Sequence, residues 1–430
     1  MRGHGGRSAR PALRSVAAIA TFLVLAAGCT EEAPERDLPD VVIGSVTESP
    51  VASPSSGPAG VPSDVGRLAV LDSLGNLVTI DPDGTDEVML AEAVEGQIVV
   101  QQPTWSPDGS RVAWVRLEVG DTGVSGVLVT RRVDGTRPTE APTAGAPFYL
   151  FWDPTSSRIA YLGSSASSQI ELGIVEVADG GRAATPLDAG QPFYLSWAPS
   201  GRELLVHVGT DRLERLELDG TLATVDTRPG AFSAPVWTSD GRSLVYATET
   251  GDRQRLVTQD LEEERGRELV RFEGAITFVV SHDGSRVAFQ VVAGQDDVSP
   301  LSVLDRETGA VERVATGFVP AFFWNPEGDR LLFLLPEPDP DRVWFRWGLW
   351  DGESTFGTSR FYPSLVFGRD YLSFFEQYAQ SMSLWAPDGS AFAYAGYNES
   401  GEEGIWVQPA QLEREPSLVK DGVFATWSPR

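Results

Sequence analysis

Chemically reactive side chains are scarce in this sequence. Cys29 is the only cysteine among 430 residues, which excludes an intramolecular disulfide and a cysteine-based metal site. Histidine occurs only as His4, His207 and His282, and His4 falls in an N-terminal segment that we expect to be removed. Two histidines cannot build a three-histidine zinc site. We therefore expect no metal and no cofactor.

Positive charge is also in short supply. The chain has 34 lysines and arginines against 61 aspartates and glutamates, a formal net charge of -27. A nucleic-acid-binding protein normally carries a basic stripe that meets phosphate, and the sequence has none, so we expect no nucleic-acid partner. Anionic lipid headgroups would repel such an acidic surface, and its simplest consequence is solubility.

Long hydrophobic runs are absent apart from one near the N-terminus. Residues 16–27 follow an arginine-rich segment and are fewer than the ~20 residues that a membrane-spanning helix needs. This pattern is typical of a signal peptide. Its end, Ala26-Ala27-Gly28-Cys29, resembles a bacterial lipobox, although Ala26 occupies the position where Leu, Val or Ile is usual.

The lipobox resemblance implies cleavage between Gly28 and Cys29 and lipidation of Cys29. Residues 1–28 would be a lipoprotein signal peptide, and acyl chains would hold the mature protein to the extracytoplasmic side of a cell membrane. The alternative is an ordinary secretory signal followed by an incidental cysteine. Residues 29–65 are dominated by Pro, Ser, Gly and acidic residues without an apolar period, which predicts a flexible tether.

One motif recurs through the rest of the chain. Copies such as WSPDGSRVAWV at Trp105 and WAPDGSAFAYAG at Trp385 return at intervals of 40 to 47 residues, apart from one interval of 61. The copies begin at Trp105, Trp152, Trp197, Trp237, Ser281, Trp324 and Trp385, with a fragment at Trp427. A period in the forties is the signature of a propeller or a solenoid.

Each copy has the pattern of a tight turn followed by strands. Pro, Asp and Gly suit successive turn positions, and the residues that follow alternate or run apolar. Four such strands per repeat make a propeller blade. The W-[ST]-P-D-G pattern resembles the PD40 repeat of TolB-like propellers and of prolyl-oligopeptidase-type propeller domains, over residues 66–430. We expect the repeated tryptophans to pack between neighbouring blades.

The two ends of this region complete each other. Residues 67–71, 76–80 and 87–91 look like the second, third and fourth strands of a blade, whereas 423–427 look like an innermost strand with no blade after it. Pairing them would close the ring and remove two open sheet edges. We therefore expect an all-β fold, a propeller of four-stranded blades with eight blades closed by the C-terminal strand; seven blades is the alternative.

Catalytic signatures are missing as well. There is no G-x-S-x-G elbow, no P-loop and no dinucleotide fingerprint. The TolB-like resemblance implies a non-enzymatic envelope protein whose propeller is a binding scaffold for a protein partner. Two alternatives stay open: an enzyme that processes glycans or peptides with acidic residues in the channel, and an extracytoplasmic sensor for a membrane partner.

The longest interval contains an aromatic-rich insertion at about residues 336–380. Part of it has apolar residues near helical spacing, which predicts a short helix over one propeller face or its channel mouth. The insertion is either a partner-binding site or a plug that packs against its own blades. The candidate partner-binding residues are Trp344, Trp347, Trp350, Phe374, Phe375 and Tyr378.

Overall fold

The computed structural model describes residue 61 and residues 65–94, 98–120, 123–143, 145–164, 169–177, 184–250, 253–263, 266–294, 297–357 and 359–430. Residues Ser56–Arg430 belong to one compact unit. The predicted signal peptide, the lipidation site Cys29 and the tether up to residue 60 lie outside the described residues. Within the described part of the chain, no helix is long and apolar enough to cross a membrane.

The first half of the propeller is regular. Its strands are β1 (Leu68–Leu71), β2 (Leu77–Ile80), β3 (Val88–Ala91), β4 (Ile98–Trp105), β5 (Arg111–Gly120), β6 (Gly123–Arg132), β7 (Thr139–Pro142), β8 (Pro147–Trp152), β9 (Arg158–Ser164), β10 (Ile170–Glu176), β11 (Thr185–Gly190), β12 (Phe193–Trp197), β13 (Glu203–Val208), β14 (Arg212–Glu217) and β15 (Leu222–Asp226). Blades 2, 3 and 4 are the sheets β4–β7, β8–β11 and β12–β15.

The second half begins regularly and ends irregularly. Its strands are β16 (Val236–Trp237), β17 (Ser243–Thr250), β18 (Arg253–Asp260), β19 (Arg267–Phe272), β20 (Ala275–Val280), β21 (Arg286–Val292), β22 (Leu301–Asp305), β23 (Val311–Ala315), β24 (Phe322–Trp324), β25 (Leu331–Pro338), β26 (Val343–Trp350), β27 (Ser354–Phe356), β28 (Phe361–Pro363), β29 (Ala391–Asn398), β30 (Glu403–Pro409), β31 (Ser417–Lys420) and β32 (Phe424–Trp427). Blades 5 and 6 are the sheets β16–β19 and β20–β23.

The ring closes as the sequence predicts. Blade 1 has the strand order β3-β2-β1-β32, so the last strand of the chain is the innermost strand of the first blade. Leu68 pairs with Trp427 and Leu71 with Phe424 in an antiparallel ladder. The backbone N–H of Arg67 donates to Ser428 Oγ at 2.9 Å. The expected closure is thereby confirmed.

Blade 7 (β24–β27) and blade 8 (β29–β31) share one hydrogen-bonded sheet, in the order β24-β25-β26-β28-β29-β30-β31 with β27 also paired to β26. The short strand β28 pairs with β26 through Phe345 and Phe361 and also with β29, so it joins the outer parts of the two blades. The innermost strand of blade 8 is reduced to a single bridge between Trp385 and Phe392. Blade 8 thus has three full strands and this bridge, and eight blade units are present in the described residues.

The second strand of each blade shows why the fold is stable. In β25, Leu331, Leu332, Phe333 and Leu334 are all fully buried, because blades pack against both faces of the sheet. A strand covered on both faces is apolar at successive positions and does not alternate. This explains the continuous apolar runs that follow each turn in the sequence.

The repeated tryptophans join neighbouring blades, as expected. Six of the seven are buried and Trp324 is partly buried. Four indole N–H groups donate across the blade boundary to a backbone carbonyl in the inner strand of the preceding blade: Trp105 to Thr426, Trp152 to Thr104, Trp197 to Phe151 and Trp324 to Val279. Each such tryptophan thus combines a large buried apolar area with a satisfied polar group.

The propeller has two distinct faces. The Pro-Asp-Gly-type turns lie where each innermost strand ends and the second strand begins, and we name this side the turn face. The hairpins between second and third strands lie on the opposite side, together with the connections from each blade to the next. The connection from blade 7 to blade 8 contains the second half of the insertion, and we name that side the plug face.

Candidate functional site

Residues 364–383 of the insertion, named the plug here, enter the central channel. They form a π-helical turn at Val366–Tyr371, a 3-10 turn at Leu372–Phe374 and an α-helical turn at Phe375–Tyr378. The predicted short helix is therefore present, broken into three turns. Its side chains reach inner strands around the ring, so it lies inside the channel.

Polar side chains of the plug bond to the channel-facing edges of inner strands. Gln377 accepts the backbone N–H of Leu195 at 2.8 Å and donates to the Leu195 carbonyl at 2.7 Å. It also donates to the Tyr149 hydroxyl at 2.9 Å. The Tyr378 hydroxyl lies 3.2 Å from the carbonyl of Phe148, to which it donates. The innermost strands have no neighbouring strand on their channel side, and the plug supplies hydrogen-bond partners to that edge.

Aromatic side chains fill the space between these bonds. Phe375 packs edge-on against Phe322 with ring centroids 4.9 Å apart. Tyr371 stacks on Phe323 at 5.9 Å, and Tyr378 packs edge-on against Tyr149 at 5.0 Å. Burial raises the pKa of all three tyrosine hydroxyls, and for Tyr149 hydrogen bonds with Ser381 and Gln377 act in the opposite direction. The plug is thus an extension of the hydrophobic core.

One carboxyl group of the plug bonds to an inner strand. Oε1 of Glu376 accepts the backbone N–H of Phe278 at 3.0 Å. Burial raises the pKa of Glu376 to about 8, and the hydrogen bond from Phe278 only partly opposes this effect. Burial is the main cause of the raised pKa of Tyr194, on the inner strand of blade 4, and the negative charge of Glu376 raises it further. Part of the side chain remains accessible to solvent.

The six candidate partner-binding residues fall into two groups. Trp347, Trp350, Phe375 and Tyr378 are buried, with 4 to 5% of their surface exposed. Trp347, for example, stacks on Phe361 at 5.5 Å. These four side chains therefore pack inside the chain. Phe374 is 39% exposed and Trp344 is partly exposed, so these two remain accessible to a partner.

Trp344 belongs to an exposed cluster that we name the arginine–aromatic patch: Arg342, Trp344, Arg360, Tyr362 and Tyr397. The guanidinium of Arg342 lies 5.5 Å from the Trp344 ring and 5.4 Å from the Tyr362 ring. Arg360 approaches the Trp344 ring at 5.4 Å, and Tyr362 packs against Tyr397 at 6.4 Å. Two cations and three rings therefore form one contiguous surface.

Ion pairs fix one side of this patch. Nε of Arg360 donates to Glu399 at 2.7 Å, and Asp339 lies 3.9 Å from the same guanidinium. The hydrogen bond to Glu399 raises the pKa of Arg360. Arg342 makes no ion pair with any residue that the structure describes, and its guanidinium is held against the rings of Trp344 and Tyr362. A guanidinium held in this way offers its N–H donors to a partner.

Only Trp344 of this patch is among the residues expected from the sequence. Arg360 and Tyr362 come from the insertion, and the pairing of Phe345 with Phe361 brings them beside the β25–β26 hairpin. Tyr397 arrives through the pairing of β28 with β29. The sequence does not indicate how a three-residue strand such as β28 aligns with its neighbours. The sequence indicates this surface only through the composition of the insertion, which is rich in Trp, Tyr and Arg.

Two features of the described residues bear on catalysis: the arrangement of metal-ligating side chains and the environment of His207. No set of three or more His, Cys, Asp or Glu side chains within them is arranged to hold a metal ion. His207 is buried, its Nδ1 lies 3.0 Å from the Ser233 carbonyl, and burial lowers its pKa. A neutral histidine that is enclosed in this way cannot reach a substrate in solution.

Comparison with known proteins finds likeness in fold alone. No protein-family model matches the sequence, and no curated protein matches it. Among solved structures, a eukaryotic initiation factor is 11% identical, with a TM-score of 0.54 over 85% of this chain and 99% of that chain. TolB from Acinetobacter baumannii is 14% identical over 65% of this chain and 74% of that chain, with a TM-score of 0.39.

A third solved structure is the β-propeller domain of the Trilobed protease from Pyrococcus furiosus. It is 13% identical, with a TM-score of 0.47 over 76% of this chain and 99% of that chain. Sequence identities this low limit the likeness to the fold. The strand topology and the ring closure together identify the chain as an eight-bladed β-propeller, and its repeat resembles the PD40 repeat of TolB-like propellers.

Proposed function

We propose that the chain is a non-enzymatic envelope lipoprotein whose propeller binds a protein partner through the arginine–aromatic patch. The patch is the observation that carries this proposal. Trp, Tyr and Arg dominate the binding energy of protein interfaces, because they combine large contact area with directional polar groups. Here Arg342, Trp344 and Tyr362 are held together in the free protein, so little side-chain order remains to be gained on binding.

The occupied channel weakens the case for an enzyme that uses acidic channel residues. Such an enzyme needs two carboxyl groups about 5–9 Å apart in an open pocket. Plug residues instead bond to the inner strands of blades 3, 4 and 6 through Tyr149, Leu195 and Phe278. The plug thus occupies channel space that a glycan or peptide could otherwise enter, which supports the scaffold proposal.

The membrane attachment in this proposal depends on Cys29. Lipidated by diacylglyceryl transfer, Cys29 would hold the propeller to the membrane, and residues 29–65 would keep its acidic surface away from anionic headgroups. Replacement by serine tests this part. We expect Cys29→Ser to appear in the soluble fraction of cells, whereas a variant that stays in the membrane after signal processing would contradict lipid anchoring.

Partner binding is tested by purifying the lipidated protein from its own membrane and identifying what travels with it. We expect Trp344→Ala to reduce recovery of a specific partner by about 30-fold, the equivalent of about 2 kcal/mol for an interface hot spot. Phe148→Ala is the matched control, since Phe148 is another exposed aromatic residue (39%) on a different blade. Equal recovery with both variants would refute the patch as the binding surface.

The same preparation also tests the scaffold role itself. A purified propeller that turned over members of a glycan or peptide library, while no partner was recovered, would overturn the proposal in favour of an enzyme. Recovery of a partner that is lost only with Trp344→Ala would support it.

A further inference from the structure

A small cleft opens beside the arginine–aromatic patch, between the outer strands of blades 7 and 8. Its volume is about 210 Å³. Aromatic side chains line its inner part and charged or polar side chains line its rim: Phe361, Tyr394, Trp406, Arg360, Glu399 and Glu415. Arg360 belongs to both the cleft and the patch, so the two features form one continuous surface.

The aromatic part of the cleft is fixed by the core. Phe361, Tyr394 and Trp406 are each buried in the packing of blades 7 and 8. The rings of Phe361 and Tyr394 are 4.5 Å apart, and the Trp406 indole donates to the Gly396 carbonyl at 2.9 Å. Aromatic rings in fixed positions attract cations through the negative charge of their faces.

Carboxylates dominate the rim. Glu415 accepts a hydrogen bond from the Ser359 hydroxyl, and Glu399 is held by Arg360. Among the residues that line the cleft, these two carboxylates face one guanidinium, that of Arg360. Burial raises the pKa of the Tyr394 hydroxyl, and the charge of Glu415 raises it further. The negative field of the rim therefore reaches the aromatic rings.

The cleft is too small for most free metabolites. Sites for small molecules commonly enclose about 300–1,000 Å³. A volume of about 210 Å³ instead suits one long side chain that enters from a neighbouring protein. The guanidinium of Arg360 does not block such an entry, because it leans over the Trp344 ring at 5.4 Å, and Glu399 balances its charge.

We propose that this cleft binds the side chain of an arginine or lysine presented by the partner protein. The aliphatic part of that side chain contacts Phe361, Tyr394 and Trp406, and its cationic end lies at the carboxylates of Glu399 and Glu415. A chain with a net charge of -27 attracts a basic partner over long range as well. The inference rests on the proposed function, since it specifies the chemistry of the partner at that same surface.

The test uses the full chain and small probes of the arginine side chain. Propylguanidinium is titrated into the protein and followed by saturation-transfer difference NMR, with propylurea as a neutral probe of the same shape. We expect a saturable signal for propylguanidinium and at least a fivefold weaker one for propylurea. Equal signals for the two probes would overturn the proposal, because a cation-selective cleft must distinguish them.

Variants of the cleft rim test whether propylguanidinium binds in this cleft. Glu415→Gln removes one rim charge with little change in size, and we expect it to weaken propylguanidinium binding at least fivefold. Glu217→Gln is the matched control, because Glu217 is exposed at the end of β14, far along the chain from the cleft. Thermal unfolding checks that both variants fold. Folded Glu415→Gln that binds like the parent chain would also overturn the proposal.

The two proposals can fail separately. If neither probe binds but a partner is still lost with Trp344→Ala, the cleft inference fails and the scaffold function stands. If propylguanidinium binds as expected but no partner depends on the patch, the proposed function fails and the cleft remains a cation site without a known role.

Discussion

The carboxyl group of Glu376 should make the stability of the propeller depend on pH. Its pKa is about 8 in the folded chain against an ordinary value of 4.5. One pKa unit corresponds to about 1.4 kcal/mol, so burying the ionised carboxylate costs at most about 5 kcal/mol. Partial exposure of the side chain reduces this ceiling, and we expect about 2–3 kcal/mol in practice.

The direction of this pH dependence follows from which state, folded or unfolded, binds the proton of Glu376 more tightly. Because the pKa is raised in the folded state, the folded chain retains a proton that the unfolded chain releases between pH 4.5 and 8. The stabilising effect of the protonated form is complete below pH 4.5 and is lost as the pH rises through about 8. Tyr194 is the titratable neighbour identified on the facing inner strand, and burial holds its pKa above this range.

Glu376→Gln isolates this contribution. The amide keeps an oxygen that can accept the N–H of Phe278 but carries no charge at any pH. Urea denaturation followed by circular dichroism should show the variant about 2–3 kcal/mol more stable than the parent chain at pH 8.5 and equal to it near pH 4.5. Glu217→Gln removes the same charge from an exposed position and controls for the overall acidity. Parallel pH profiles for the parent chain and Glu376→Gln would refute the reasoning.

Three further variants test how the ring is held together. Gln377→Leu leaves the backbone N–H and carbonyl of Leu195 without their partner, and urea denaturation should show a loss of about 2–4 kcal/mol; an unchanged midpoint would mean that the plug is not anchored there. Trp152→Ala removes a buried indole and its bond to Thr104, and the same assay should show a loss of about 3–5 kcal/mol; a loss below 1 kcal/mol would argue against inter-blade packing. Deletion of residues 424–430 leaves β1 with an open edge, and size-exclusion chromatography should show concentration-dependent self-association; a monodisperse, cooperatively folding product would contradict closure by β32.

The blades could be predicted because their determinants are local. A Pro-Asp-Gly-type turn and the apolar run after it lie within about a dozen residues, and the structure places a turn and a second strand at each copy, including the copy at Ser281 that lacks tryptophan. Val280 occupies the tryptophan position there and lies at the end of an ordinary inner strand. The turn and strand pattern, more than the tryptophan, therefore specifies the blade.

The irregular blade could not be predicted, because its cause is not local. The end of the plug is held by the C-terminal strand of the ring: the carbonyl of Ser383 accepts the N–H of Trp427 at 2.9 Å and the hydroxyl of Thr426 at 3.0 Å. Only the single bridge at Trp385 then remains of the inner strand of blade 8. Hydrophobic spacing indicated a short helix within the insertion but carried no information about which strands it would meet.

The arginine–aromatic patch could likewise be predicted only in part, because its residues meet through non-local strand pairing. Trp344 is a bulky aromatic residue in an insertion, which composition alone makes a candidate. Its neighbours Arg360 and Tyr362 are known only when the register of β28 is known. The buried residues Trp347 and Trp350 carry the same sequence signal as Trp344, because burial in this strand changes along its length and the sequence does not reveal where other residues cover it.

The closure between β1 and β32 has a mechanical consequence for a propeller that is held by its N-terminal segment. Any pull through residues before Gly66 reaches β1 first. That strand is paired on both edges, through residues Leu68 to Leu71, with β2 on one side and β32 on the other. A strand at the rim of a sheet can be peeled away one bond at a time, whereas β1 must part from two ladders together. The last strand of the chain thus clamps the strand that would bear the load.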